Sequence, residues 1–145
     1  MADMTPSVTT DLTALADRVE AAEGPSGDLA EAVYRACGWV GRQSFADGDA
    51  GNWFWFDEKD RKRFHYGDLY RNNPLASIDA ALTLVPDALT KNPAWWGVRR
   101  GGLTYFHAWL GDREPERDGT ETGKWAQANT PALALCAAAL RARAA

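Results

Sequence analysis

Three side chains at alternate positions, Arg61, Arg63 and His65, carry the clearest chemical signal in this chain. Successive side chains of a β-strand point to opposite faces, so residues two apart share one. Two guanidiniums and an imidazole in a row suit an anion, a nucleotide phosphate or an acidic partner. They equally suit a solvated sheet edge whose charges block edge-to-edge pairing. Trp95 and Trp96 are adjacent, which on a strand sends one indole to each face. A Trp near Arg99 and Arg100 can stack a planar ligand or anchor a protein. Arg61, Arg63, His65, Trp95 and Trp96 together are the candidate set for a small nucleotide signal that the chain would bind and sequester.

The other histidine, His107, shares a strand face with Tyr105 and Trp109. It reads as a general base or ligand contact in an aromatic pocket, or as a packed histidine bonded to a neighbour. The sequence sets no nucleophile or paired acid beside it. Gly119-Thr120-Glu121-Thr122-Gly123-Lys124 has the flavour of a phosphate loop but the wrong glycine spacing, and Trp125 stands where Ser or Thr is needed. Asp47-Gly48-Asp49 lacks the later acidic ligand of a calcium loop. Cys37 and Cys136 lack zinc spacing and read as small buried residues in a reducing cytosol. The expectation is a non-enzyme with no catalytic residue, metal or cofactor.

Charge narrows the partners. Sixteen Lys and Arg against twenty Asp and Glu give a formal charge of −4. An acidic chain is poorly suited to direct contact with nucleic acid, which needs a cationic surface. It is suited to a basic groove on another protein. Residues 111–124 contain no apolar side chain larger than proline, and they carry Asp112, Glu114, Glu116, Asp118 and Glu121. These five acids are the candidate partner contacts, and a plain solvated linker has the same composition.

The elements that must position these residues follow from periodicity. A leader over residues 1–8 precedes a helix capped by Thr9, Thr10 or Asp11, with Leu12, Leu15, Ala16 and Val19 on one face. Gly24-Pro25 stops it. Ser26 or Asp28 caps a second helix carrying Leu29, Ala32, Val33 and Ala36, closed by Gly38. Residues 41–52 read as loop. Trp53-Phe54-Trp55-Phe56 and residues 61–66 form a hairpin around Asp57-Glu58-Lys59-Asp60. Ser77 caps a third helix that Pro86 ends. Residues 94–99 and 103–110 make a second hairpin about Arg100-Gly101-Gly102. Thr130 and Pro131 open a last helix with a stripe of Leu133, Cys136, Ala137 and Leu140. Neither aromatic strand alternates apolar with polar, so both sheet faces want cover. With 145 residues, 46% of them hydrophobic, the chain fits one domain over residues 9–145. The start lacks a cationic region followed by an apolar run, and no stretch reaches membrane-spanning length. A soluble, unexported protein is expected.

Four segments resemble one family. Residues 77–86 (SIDAALTLVP) and 130–143 (TPALALCAAALRAR) match its third and fourth helices. Residues 15–26 (LADRVEAAEGPS) look like its first helix and stop, and Ala36-Cys37-Gly38-Trp39 like the end of its second. This is the phage ABA sandwich domain, found in small bacteriophage and prophage proteins. Residues 40–72 and 111–118 are less recognisable. Residues 87–93 replace the turn that usually follows Val-Pro. The resemblance implies an α+β fold: a three-layer α/β/α sandwich with a mainly antiparallel sheet of about four strands and about four helices. It implies a phage or prophage accessory protein in the host bacterial cytoplasm. The sharper expectation is an inhibitor of a bacterial defence system, anti-CRISPR-like. It would bind a host protein such as a nucleic-acid-binding defence effector, with no direct nucleic-acid or membrane contact. A virion structural or assembly protein is the third alternative. No catalytic residue carries over from the family.

Overall fold

The computed structural model describes residues 8–90, 96–111 and 125–144. These residues form α1 (Val8–Ala21), α2 (Gly27–Ala36), β1 (Val40–Gln43), β2 (Trp53–Phe56) and β3 (Lys62–His65). A 3-10 segment (Tyr66–Asn72), α3 (Ile78–Leu82) and a second 3-10 turn (Asp87–Leu89) follow. Then come β4 (Trp96–Arg100), β5 (Phe106–Leu110), β6 (Trp125–Ala128) and α4 (Pro131–Ala144). The chain is thus mixed helix and sheet, and every strand pairing is antiparallel. The strands make two three-stranded sheets, β1-β2-β3 and β4-β5-β6, instead of one sheet of about four.

Two strands escaped the sequence reading. Val40-Gly41-Arg42-Gln43 is poor in strand formers, yet β1 pairs along the full length of β2. Trp125-Ala126-Gln127-Ala128 forms β6 because β5 supplies its ladder. Strand propensity is decided by such neighbours more than by the segment itself. Thr9, Thr10 and Asp11 lie inside α1, which begins at Val8 instead of after them, and α3 ends at Leu82, short of Pro86. Ser26 does cap α2, its hydroxyl accepting from Leu29 N at 3.4 Å. Gly38 closes that helix at φ +88°, where a side chain would be strained. Ser77 and Thr130 cap α3 and α4 in the same way.

The core is organised around α4. Residues 132–140 are all buried, because this helix offers no polar side chain on any face until Arg141. A helix apolar all round must be enclosed. The second sheet encloses it on one side, through Ala108, Leu110, Ala126 and Ala128, and α1 and α3 on the other. The expected four-residue stripe is too narrow a description of it.

Arg141 ties these layers together. Its guanidinium pairs with Glu20 and with Asp17 of α1 and donates to Trp125 O at 3.2 Å. Glu20 in turn accepts from Gln127 N at 2.8 Å. The outer edge of β6 is thereby satisfied by side chains of two helices, which removes a template for edge pairing. Arg143 closes the opposite side, donating to Leu84 O and pairing with Glu58 at 2.9 Å.

The first sheet stands on an aromatic stack. Trp55 lies 5.0 Å from the Tyr66 ring at 12°, and Tyr34 of α2 stacks on Trp39 at 4.3 Å. Gly41 makes room for this stack: a Cβ there would sit 2.1 Å from Tyr66 Cε1. The Tyr66 hydroxyl is held by Arg35 at 2.6 Å, so the ring cannot swing away. Gly41→Ala is expected to cost about 1–3 kcal/mol by overpacking, read as a lowered urea midpoint with an unchanged slope.

A candidate recognition trough

The predicted cationic strip does not exist as a free surface. Asp57 follows β2 at the start of the turn, with its side chain only 1% exposed, and both arginines converge on it. Arg61 Nε lies 2.8 Å and Arg63 Nε 2.9 Å from Asp57 Oδ2, while Oδ1 accepts from Lys59 N and Arg61 N. Burial pushes the Asp57 pKa up, but the bonds from Arg61 and Lys59 outweigh it and hold the carboxyl below its usual range. A carboxylate accepting this many N–H bonds is strongly favoured in its charged form.

His65 leaves the strip altogether. Phe56 pairs with Lys62 and Trp55 with Phe64, so β3 carries one extra residue, Arg63, opposite the Trp55/Phe56 step. Such a bulge shifts the alternation of faces beyond it. Arg63 turns its guanidinium over the Trp39 ring, 5.2 Å from its centroid, whereas His65 stacks on Phe54 at 4.3 Å on the opposite face. The alternation rule fails here because it assumes an unbroken ladder.

The remaining predicted residues divide by position. Trp96 opens β4 opposite Leu110 and is 37% exposed. His107 is half-buried on β5 between Tyr105, at 5.5 Å, and Trp125, at 6.1 Å. Trp95 and the five acids Asp112, Glu114, Glu116, Asp118 and Glu121 lie outside the described residues. Cys37 and Cys136 are free and buried, and burial raises both thiols, Cys37 to about 11. Neither is poised as a thiolate nucleophile. Asp49 accepts from Ser44 Oγ and Lys62 Nζ, each at 2.6 Å, stapling the loop between β1 and β2. Among the described residues no His, Cys, Asp and Glu cluster could hold a metal ion, and no helix is long and apolar enough to cross a membrane.

The concave surface lies elsewhere. A cleft of about 460 Å³ opens between the start of α2 and the first 3-10 segment, edged by Asp28, Glu31, Leu69 and Tyr70. A second, of about 310 Å³, runs from Leu75 and Ile78 to Pro131 and Ala132 at the start of α4. Pro25 and Ala76 line both, so the two clefts adjoin at these residues, and the pair makes up the trough. Its α4 end is apolar. Its α2 end is acidic: Glu31 is paired with Arg35 at 2.8 Å, and Asp28 makes no ion pair among the described residues. Tyr70 stands at the rim, 69% exposed, with Arg71 Nε donating to its hydroxyl at 2.8 Å.

Three distant stretches (residues 25–31, 67–78 and 130–132) build this trough. No linear motif could have announced it. The one local signal was Pro25, which lies in the turn between α1 and α2 and lines both clefts. Comparison with known proteins returns no match: no family model, no curated protein and no solved structure.

Proposed function

We propose that this chain is a phage or prophage accessory protein that works by binding a bacterial host protein, as an inhibitor of a defence system. The observation that carries the reading is the trough: apolar at one end, acidic at the other, with an exposed tyrosine at its rim. Concave apolar surface with a few placed polar groups is where binding concentrates. Aromatic rim residues supply large contact area at low entropic cost. The apolar end suits an aliphatic or aromatic side chain of the partner, and the Asp28 end suits a lysine or arginine. Proteins that handle nucleic acid carry such basic surfaces, and an acidic face competes for them. The three-layer sandwich and the host cytoplasm belong to the same proposal.

The buried groups that could do acid–base chemistry here, Asp57, Asp49 and Tyr34, are engaged in structural bonds, which favours binding over catalysis. Asp57 holds two arginines, Asp49 holds a serine and a lysine, and the Tyr34 hydroxyl donates to Asn72 O.

The test uses a bacterial strain whose defence system blocks a sensitive phage. Expression of the chain restores plaques, and the captured host protein is identified by mass spectrometry. Asp28→Lys reverses the charge at the trough mouth and costs the fold no more than about 2 kcal/mol, the loss of an acid plus the gain of a cation in the first helical turn. It is expected to lower partner affinity at least about tenfold, the loss of one charge-assisted bond. Replacing Asp112, Glu114, Glu116, Asp118 and Glu121 by Ala tests the acidic segment separately. Full protection by both variants would defeat the reading.

A further inference from the structure

The outer face of the first sheet carries a second arrangement, independent of the trough. Phe54 and Phe56 point away from the helix that covers Trp55, yet they are only 5% and 8% exposed. What covers them is a layer of cationic and imidazole groups. The Arg42 guanidinium lies 3.8 Å from the Phe56 centroid. Lys62 Nζ lies 4.8 Å from that of Phe54, and the His65 ring stacks on Phe54 at 30°. Register sets these groups side by side: Arg42, Phe54 and His65 form one row across the three strands, and Phe56 and Lys62 lie in the next.

The layer is held in place but not used up. Arg42 pairs with Asp60, whose side chains are 45% and 73% exposed. Lys62 pairs with Asp49 at 2.6 Å. An ammonium has three donors and a guanidinium five, so each keeps donors for a further acceptor. The exposed Arg42–Asp60 pair is also cheap to open, whereas Lys62 keeps its largely buried Asp49 partner and offers its remaining donors. His65 is exposed, so the stack that begins at Phe54 ends in an open imidazole face.

The geometry points to a nucleoside monophosphate site on this face, with the base stacked on His65 and the phosphate received by Lys62 and Arg42. Stacking on an aromatic ring tolerates any base, because every base has a π-face. Arginine and lysine next to it supply charge-assisted bonds to phosphate oxygens. The net charge of −4 favours one nucleotide over a polyanion. The bulge at Arg63 builds the site, since it delivers His65 to the face that Lys62 already occupies.

The test is a titration of the full chain with adenosine 5′-monophosphate, followed by calorimetry and by backbone-amide NMR shifts. Adenosine, ribose 5-phosphate, inorganic phosphate and a short single-stranded oligonucleotide serve as separate arms. The monophosphate is expected to bind at least about tenfold tighter than either half of it, with shifts confined to residues 40–43, 53–56 and 62–65. His65→Ala is expected to weaken the monophosphate about tenfold and leave ribose 5-phosphate unchanged, and His65→Phe to restore binding. Lys62→Gln weakens both. Equal affinity for inorganic phosphate, tighter binding of the oligonucleotide, shifts elsewhere, or no binding at millimolar ligand would each overturn the proposal.

Discussion

Trp55→Ala is expected to remove about 3–5 kcal/mol of stability, the cost of emptying a large buried aromatic site. A domain of this size has about 5–15 kcal/mol in total, so the variant stands near unfolding at 37 °C. The reason is position. Trp55 is 1% exposed and touches each support of the first sheet. It stacks on Tyr66, lies 5.8 Å from Tyr34 of α2, and has the Arg35 guanidinium 5.0 Å from its ring. Its removal collapses a wall shared by sheet and helix. Trp55→Phe separates ring from indole. The Trp55 Nε1 is buried and makes no hydrogen bond among the described residues. An unmade bond to a buried donor is a penalty, and phenylalanine deletes the donor while keeping a ring. That substitution is expected to cost under about 2 kcal/mol. Urea denaturation of the two variants measures the contrast, and equal losses would sink it.

Asp57→Ala is expected to cost about 2–3 kcal/mol at pH 7. The carboxylate accepts from two backbone N–H groups and two guanidiniums across the β2–β3 turn. Asp60, three residues on, holds φ +65° to complete that turn, a conformation only a well-bonded turn stabilises in a non-glycine residue. Alanine strands the Lys59 and Arg61 N–H groups and leaves two arginines facing each other. The loss depends on pH with a definite sign. The folded carboxyl sits below its ordinary value, so its contribution is complete above about pH 4, the unfolded value. It fades as pH falls further, through the folded value. Glu58 acts in the same sense: burial raises it, and the Arg143 bond, a backbone bond and the Arg143 charge together outweigh that, leaving it lowered. The wild type is therefore expected to lose stability below about pH 4.5, where Glu58 begins to titrate in the unfolded chain, and the gap between wild type and Asp57→Ala to close below about pH 4. A gap that stays constant from pH 7 to pH 3 would assign the effect to packing instead.

The candidate sites show where reading along the chain stops working. The stripe Leu12, Leu15, Ala16 and Val19 is buried as the helical period demands, because that period is local. Ser26, Ser77 and Thr130 cap their helices for the same reason: the bond spans three residues. Trp53 and Trp55 share one face of β2, with Phe54 and Phe56 on the other, as strand alternation predicts. The strip at Arg61, Arg63 and His65 fails at a single inserted residue. Nothing in Lys62-Arg63-Phe64-His65 marks the bulge, since it is set by how β3 meets β2. Asp57 was legible only as a turn residue, and its grip on both arginines depends on the hairpin closing.

Sequence by itself determined the helices, the caps of the last three, the two hairpins, and the mixture of antiparallel strands with helices, because each follows from bonds or periods a few residues long. Tertiary structure decided the rest. It split the strands into two sheets, added β1 and β6 by pairing, enclosed α4 on every side, and gathered residues 25–31, 67–78 and 130–132 into one trough. Those outcomes depend on contacts between segments tens of residues apart, whose free energy is recorded in no single stretch of the chain.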